Sequence, residues 1–152
     1  MNDNVLRLER LIAAPPERVF ALWTEPDQLI KWWGPEGFDV PESALDVREG
    51  GQWCTTMRAP DGRRHTVSGV YRAIDPPNRL VLTWAWDDDN GVRGHETEIT
   101  VTFQSAPGGT RLTLIQQTFA TAETRDRHSH GWLSSFVCLA SAAEEPLRKM
   151  SA

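Results

Sequence analysis

The side chains with the most direct chemical potential in this sequence are four histidines, two cysteines and a short acidic run. His128 and His130 are two residues apart, so on a helix they point in different directions and cannot share a metal ion. The acidic run at 87–90 lacks the spacing and the terminal glutamate of an EF-hand, and no HExxH motif or CxxC pair occurs. The sequence therefore predicts no metal site and no cofactor, and it predicts that the histidines near 128 lie on the surface.

Nucleophilic catalysis finds equally little support. No Gly-x-Ser-x-Gly motif is present, and Cys54 falls on the strand parity opposite to Trp53, which directs its thiol away from the predicted interior. Cys138 lies in a predicted helix, and two cysteines make neither a disulfide framework nor a metal knuckle. No catalytic residue is predicted.

Three polar residues remain as candidates for handling a ligand, namely Tyr71, His95 and Gln116. Each has the parity predicted to face the interior, where an unpaired polar group costs about 1–3 kcal/mol. All three could orient a carbonyl or hydroxyl group of a ligand, and His95, Tyr71 or a water in the pocket could carry out acid–base chemistry on it. His95 closely follows the glycines at 91 and 94, and we favour a solvated strand end for it.

Tryptophan is the unusual feature of the composition, with seven in 152 residues. So many large rings need either a deep core or a lined cavity to shelter them. Trp84 and Trp86 share one face of a predicted strand, and Trp53, Thr55 and Met57 share a face of another. These faces are compatible with lining a pocket and with filling a core, and the sequence leaves both interpretations open.

The segment KWWGP at 31–35 raises the same choice for Trp33. Two rings beside a Gly-Pro pair that ends a helix could form the lid of a cavity. They could also pack the short helices against the sheet, which is the interpretation that we favour.

These residues must be positioned by strands and helices that the chain pattern predicts. Alternation over 5–12 predicts a first strand, and prolines at 15–16 and 26 open two short helices, the second of which ends at the Gly-Pro pair 34–35. Turn signals then divide 38–119 into about six strands, each with one apolar side.

A long helix is predicted from about Ala122 to Ala143, after an N-cap at Thr121. Trp132 and Phe136 belong to its apolar stripe, which must face the sheet. The order of elements predicts an α+β fold in which a curved, seven-stranded antiparallel sheet wraps around the C-terminal helix. Because large side chains give way to alanines along this helix, we expect tight packing at its C-terminal end and a pocket near its N-terminal half.

Charge and hydropathy exclude several classes of protein. The chain has 16 Lys and Arg against 21 Asp and Glu, a net charge of −5, with no basic cluster of the kind that binds nucleic acid. No apolar run approaches the roughly 20 residues of a membrane span, so no membrane insertion is expected. The N-terminal residues do not resemble a secretory signal, which favours the cytoplasm. We predict one domain over 5–143, with flexible tails at 1–4 and 144–152.

Six sequence segments form a recognisable series along the chain: APPERVF at 14–20 followed by Trp23, KWWGP at 31–35, REGG at 48–51, DPPNRL at 75–80, GTRL at 109–112 and GW at 131–132. In this order they resemble the START-like, or SRPBCC, superfamily, and within it the branch similar to activators of the heat-shock chaperone ATPase. The resemblance implies a helix-grip fold with a cavity between the sheet and the last helix. Across the superfamily this cavity holds lipids, polyketides and other hydrophobic ligands.

The resulting hypothesis is a protein that binds a small hydrophobic molecule, lipid-like, polyketide-like or aromatic, between the sheet and the C-terminal helix. Two alternatives stay open, which are a cyclase or hydrolase acting in the same cavity and a protein-interaction module that forms a homodimer or regulates a chaperone. The predicted ligand contacts are Trp33, Trp53, Thr55, Met57, Tyr71, Trp84, Trp86, His95, Gln116, Trp132 and Phe136.

Overall fold

The computed structural model of the protein describes residues 5–88 and 90–144. The elements are the strands β1 (Leu6–Ile12), β2 (Asp39–Leu45), β3 (Gln52–Arg58), β4 (Arg64–Asp75), β5 (Arg79–Trp86), β6 (Thr97–Ala106) and β7 (Gly109–Gln117), and the helices α1 (Pro16–Thr24), α2 (Pro26–Leu29) and α3 (Ala122–Ala143). The predicted order of elements and the predicted limits of the last helix are confirmed. The predicted tails, apart from Glu144, lie outside the described residues.

The seven strands form one antiparallel sheet in the order β1-β7-β6-β5-β4-β3-β2. Helix α3 packs on one face of this curved sheet, so the α+β helix-grip fold predicted from the sequence is confirmed. Every strand except the edge strand β2 buries side chains in the core, and Leu114 and Val101, opposite each other on β7 and β6, are fully buried. This arrangement gives the site two walls, the sheet and α3.

Helix α2 is shorter than the sequence suggested, because it ends at Leu29 and not near the Gly-Pro pair. The chain continues as an irregular turn in which the backbone N–H groups of Trp32 and Trp33 both donate to the carbonyl of Leu29, at 3.2 and 3.1 Å. Gly34 then has a φ of +95°, and a Cβ there would lie 2.8 Å from the Sδ of Met57. Glycine therefore permits both the reversal of the chain and its close approach to β3.

Helix α3 begins at a capped N-terminus, where the Thr121 hydroxyl accepts a hydrogen bond from the backbone N–H of Thr124 at 3.1 Å. At the other end, the guanidinium of Arg18 on α1 donates to the carbonyls of Ala142 and Ala143, at 2.9 and 2.7 Å. These two devices satisfy backbone groups that a helix leaves unpaired at its ends. No helix within 5–88 and 90–144 is long and apolar enough to cross a membrane.

Candidate functional site

A cavity of about 540 Å³ opens between the sheet and the N-terminal half of α3. Its walls come from β3, β4, β5, α3 and the turn that follows α2, and the surface inside is almost entirely apolar. The lining residues are Trp33, Gly34, Pro35, Phe38, Met57, His65, Trp84, Trp86, Arg127, His128, Gly131, Trp132 and Ser135.

The deep part of the cavity, which we call the floor, is formed by Trp33, Met57, Trp84 and Trp132. These four residues are 4–5% exposed. The ring centroids of Trp33 and Trp84 are 5.6 Å apart, and those of Trp84 and Trp132 are 5.3 Å apart, so the three indoles form one continuous aromatic surface. The floor presents ring faces and a thioether to whatever enters.

The outer part, which we call the rim, is formed by Phe38, His65, Trp86, Arg127 and His128. Phe38, Trp86 and His128 are half-buried, whereas His65 and Arg127 are exposed. The imidazole of His65 lies across the strand pair from Met57 and contacts the ring of Trp86, with centroids 6.4 Å apart. The rim is therefore aromatic and polar where the floor is apolar.

Two of the tryptophans that line the cavity are held in place by hydrogen bonds. The indole N–H of Trp132 donates to the amide oxygen of Gln116 at 2.9 Å, and the Gln116 amide N–H donates to the Thr97 hydroxyl at 2.8 Å. Thr97 in turn donates to the carbonyl of Trp84 at 3.2 Å. This buried chain ties α3 to β7, β6 and β5, and so it fixes the orientation of Trp132 in the floor.

His128 holds the second of these rings. Its Nε2 accepts a hydrogen bond from the indole N–H of Trp86 at 2.9 Å, and its Nδ1 lies 3.0 Å from the carbonyl of Thr124. Both bonds are satisfied only by the neutral imidazole with its proton on Nδ1. Burial, together with the charge of Arg127, lowers the pKa of His128 below its usual value, although the bond to Thr124 opposes this shift. The prediction that His128 is a surface residue is wrong, because the ring packs under Trp86.

Trp33 and Trp84 differ from these pinned rings. Their indole nitrogens are fully buried and have no hydrogen-bond acceptor within the described parts of the chain. An unpaired buried donor costs about 1–3 kcal/mol, so close packing of the rings must hold both of them in place. In the floor, two indole N–H groups therefore stay without a hydrogen bond, and the floor presents aromatic surface.

Five of the eleven predicted contacts line the cavity, and the other six do not. Those that line it are Trp33, Met57, Trp84, Trp86 and Trp132. Trp53 lies behind the floor, with its ring 5.9 Å from Trp33 and its N–H bound to the Thr83 carbonyl at 3.1 Å. The Thr55 hydroxyl is buried on the same strand and has no partner among the residues described.

The remaining predicted contacts are also away from the cavity. Tyr71 is 2% exposed, and burial beside Asp46 raises the pKa of its phenol. Phe136 packs behind Trp132, with ring centroids 5.8 Å apart, and Gln116 acts through Trp132 as described above. His95 is exposed and bonds to the carbonyl of Thr118, so the groups suggested for acid–base chemistry, His95 and Tyr71, do not meet in the cavity.

Eight lining residues were not predicted from the sequence: His128, Ser135 and six others. Gly34 and Pro35 were noted only as the end of a helix, Gly131 only as a family motif, and Phe38, His65 and Arg127 gave no signal at all. Strand parity could have drawn attention to His65, since it pairs with Met57 in the hairpin of β3 and β4. The turn at 34–38 and the position of Arg127 depend on tertiary packing.

Other chemistry is sparse in the described structure. No group of three or more His, Cys, Asp or Glu side chains within 5–88 and 90–144 is arranged to hold a metal ion. Cys54 is exposed and Cys138 is half-buried, and both are free thiols. The arrangement in the cavity offers an aromatic surface, a polar rim and one cationic side chain.

Comparison with known proteins identifies the fold family. The family model of the Activator of Hsp90 ATPase homolog 1-like proteins matches residues 13–144. The AHSA1 protein of Silicibacter pomeroyi is 37% identical, covers 90% of this chain and 95% of its own, and superposes with a TM-score of 0.84. A protein of Chromobacterium violaceum is 30% identical over 94% of this chain and 99% of its own, also with a TM-score of 0.84.

A third solved structure, from Nitrosomonas europaea, is 26% identical over 94% of this chain and 96% of its own, with a TM-score of 0.79. No curated protein matches the chain. The family match spans all three helices and β2 to β7, including every residue that lines the cavity. The chain therefore belongs to the family of Activator of Hsp90 ATPase homolog 1-like proteins.

Proposed function

We propose that the protein binds a small, largely apolar molecule in the cavity between the sheet and α3. The observation that carries this proposal is the floor itself, three contacting indole rings and a methionine that enclose one side of a volume of about 540 Å³. Volumes of roughly 300–1,000 Å³ with an apolar lining and few polar groups are typical of small-molecule sites.

The rigidity of the walls supports a ligand site, because a cavity left by loose packing would be filled by movement of its side chains. Trp132 is held by Gln116, and Trp86 is held by His128, so neither ring can swing in to fill the space without losing a hydrogen bond. A cavity whose walls are fixed before binding does not have to be ordered by the ligand, and this lowers the cost of association. Aromatic faces and the thioether of Met57 adapt to flat and to branched ligands alike.

The test uses the neutral fluorescent probe N-phenylnaphthylamine. We expect saturable binding with energy transfer from tryptophan, because Trp33, Trp84, Trp86 and Trp132 all lie at the cavity. Ser135 is 5% exposed and lines the same wall, so Ser135→Phe places a ring in the binding space. The variant should bind the probe at least about tenfold more weakly, a loss of about 1.4 kcal/mol.

Leu133→Phe is the matched control, because Leu133 lies on the same helix but is 51% exposed. It adds the same ring outside the cavity and should leave the affinity unchanged. Circular dichroism confirms that both variants are folded before titration. Equal affinity of the wild-type protein and Ser135→Phe, or no saturable binding to the wild-type protein, would contradict the proposal.

A further inference from the structure

The lining of the cavity is electrically uneven. Among the described residues, the thirteen that line it include one permanently charged side chain, that of Arg127, and neither an aspartate nor a glutamate. Arg127 lies on the rim, whereas the floor carries no charged group. A ligand that fills this cavity therefore meets neutral rings at one end and a single positive charge at the other.

The protein compensates the charge of Arg127 only weakly. Its guanidinium lies 3.7 Å from the carboxylate of Glu123, one helical turn away, and the two side chains are 71% and 84% exposed. Exposed pairs of this kind contribute little and are screened by solvent, so the guanidinium can turn toward a bound ligand. Arg127 lines the cavity next to His128, which places its side chain at the rim.

We infer that the preferred ligand is an amphipathic anion, whose apolar ring or chain lies on the floor while a carboxylate or similar acid stays at the rim and pairs with Arg127. This inference rests on the proposed binding function and adds a charge and an orientation to it. The acid cannot lie on the floor, because no cation lines it and an unpaired buried carboxylate is very costly. At the rim the acid keeps part of its water and gains a bidentate partner.

The overall charge of the protein allows this inference to be distinguished from a general electrostatic preference. The chain carries a net charge of −5, so its long-range field favours cations over anions. A preference for an anionic ligand must then come from a local group at the cavity. Of the described residues that line the cavity, Arg127 is the one with a permanent positive charge.

The experiment uses three probes with the same ring and different charges: naphthoate, naphthylmethanol and naphthylmethylamine. Each is titrated near neutral pH against the bound N-phenylnaphthylamine reporter. We expect affinity to decrease in that order, with each step worth about two- to fivefold, the range for a solvent-exposed ion pair. The advantage of naphthoate should shrink as salt is raised, because exposed charges are screened over about 10 Å at 0.1 M ionic strength.

Three variants locate the source of the preference. Arg127→Gln should bring naphthoate and naphthylmethylamine to nearly equal affinity while leaving naphthylmethanol unchanged. Arg127→Lys keeps the charge and should restore most of the preference for the anion. Arg111→Gln is the control, since it removes the same charge from an exposed position on β7 that does not line the cavity, and it should leave the order of affinities intact.

The outcomes distinguish the proposed binding function from the preference for an anionic ligand. Equal affinity of the three probes, an order that survives in Arg127→Gln, or failure of all three to displace a bound reporter would overturn the inference and leave the binding function standing. Failure of the reporter itself to bind would remove the proposed function and the inference together. The salt dependence in the wild-type protein tests the same point without any variant.

Discussion

The two halves of α3 meet the sheet in opposite ways. In the C-terminal half, Leu139 is fully buried and Ala140 and Ala143 are 3% exposed, and none of these residues lines the cavity. In the N-terminal half, Gly131 and Trp132 border an open volume of about 540 Å³. One helix therefore contributes to a closed core at one end and borders a cavity at the other.

The difference follows from side-chain size and from which groups hold the helix. Alanines let the C-terminal half approach its neighbours closely, and Arg18 ties its last carbonyls to α1. Trp132 stands in the N-terminal half as a large ring fixed by Gln116, and Gly131 beside it fills no space. A rigid ring next to a missing side chain leaves a void that the protein cannot close by small adjustments.

The largest expected effect tests the closed end. Leu139→Ala removes a fully buried side chain from a packed region, and it should lower the free energy of unfolding by about 2–5 kcal/mol. Urea denaturation measures the change. Leu133→Ala, at a position that is 51% exposed on the same helix, should change stability by no more than about 0.5 kcal/mol. Similar losses in the two variants would mean that the C-terminal half is not tightly packed.

A pair of small-to-large changes compares the two ends directly. Ala140→Leu adds atoms where no space remains, and should cost about 1–3 kcal/mol of stability. A Cβ at Gly131 would meet no atom within 4 Å, so Gly131→Ala should stabilise the protein by about 0.5–1 kcal/mol through its better helix propensity. Thermal unfolding monitored by circular dichroism measures both. If Ala140→Leu is tolerated as well as Gly131→Ala, the free space is not confined to the N-terminal half.

The fold was predictable because helix caps, the spacing of apolar residues and turn signals act within a few residues of each element. Helix α3 runs from Ala122 to Ala143 as expected, since the Thr121 cap and the spacing of its apolar residues act locally. The seven strands follow from turn signals and from alternation. The end of α2 was misplaced, because Trp32 and Trp33 continue the hydrogen bonding of the last turn without adding a helical residue.

The site was only partly predictable, for a physical reason. The alternation along a strand shows which face a side chain occupies. It does not show where along that strand the helix packs closely and where it leaves a cavity. Trp53 and Met57 share a face of β3, yet Met57 borders the cavity and Trp53 packs behind its floor. The placement of His128 depends on an indole 42 residues away in sequence, and no local pattern carries that information.

The smallest expected effect concerns that histidine and acts through pH. Burial lowers the pKa of His128 in the folded protein below 6.5, the value expected for the unfolded chain. As the pH falls through this unfolded value, the unfolded state takes up a proton more readily than the folded one, so protonation favours unfolding. This destabilisation is absent well above pH 6.5. The free energy of unfolding declines as the pH drops from about 7 toward the pKa of His128 in the folded protein, and below that pKa it levels off.

We expect His128→Gln to flatten this part of the stability curve, because a glutamine oxygen can still accept the hydrogen bond of Trp86 but does not titrate. The free energy of unfolding, measured by urea denaturation at about pH 8 and about pH 5, should fall less in the variant, by about 1 kcal/mol or less. His130→Gln is the control, since His130 is exposed on the same helix and should leave the pH dependence as it is in the wild-type protein. A variant curve that stays parallel to the wild-type curve would mean that the rim of the cavity does not hold His128 in its neutral form. The contrast between a closed end held by apolar packing and an open end sensitive to pH would then be lost.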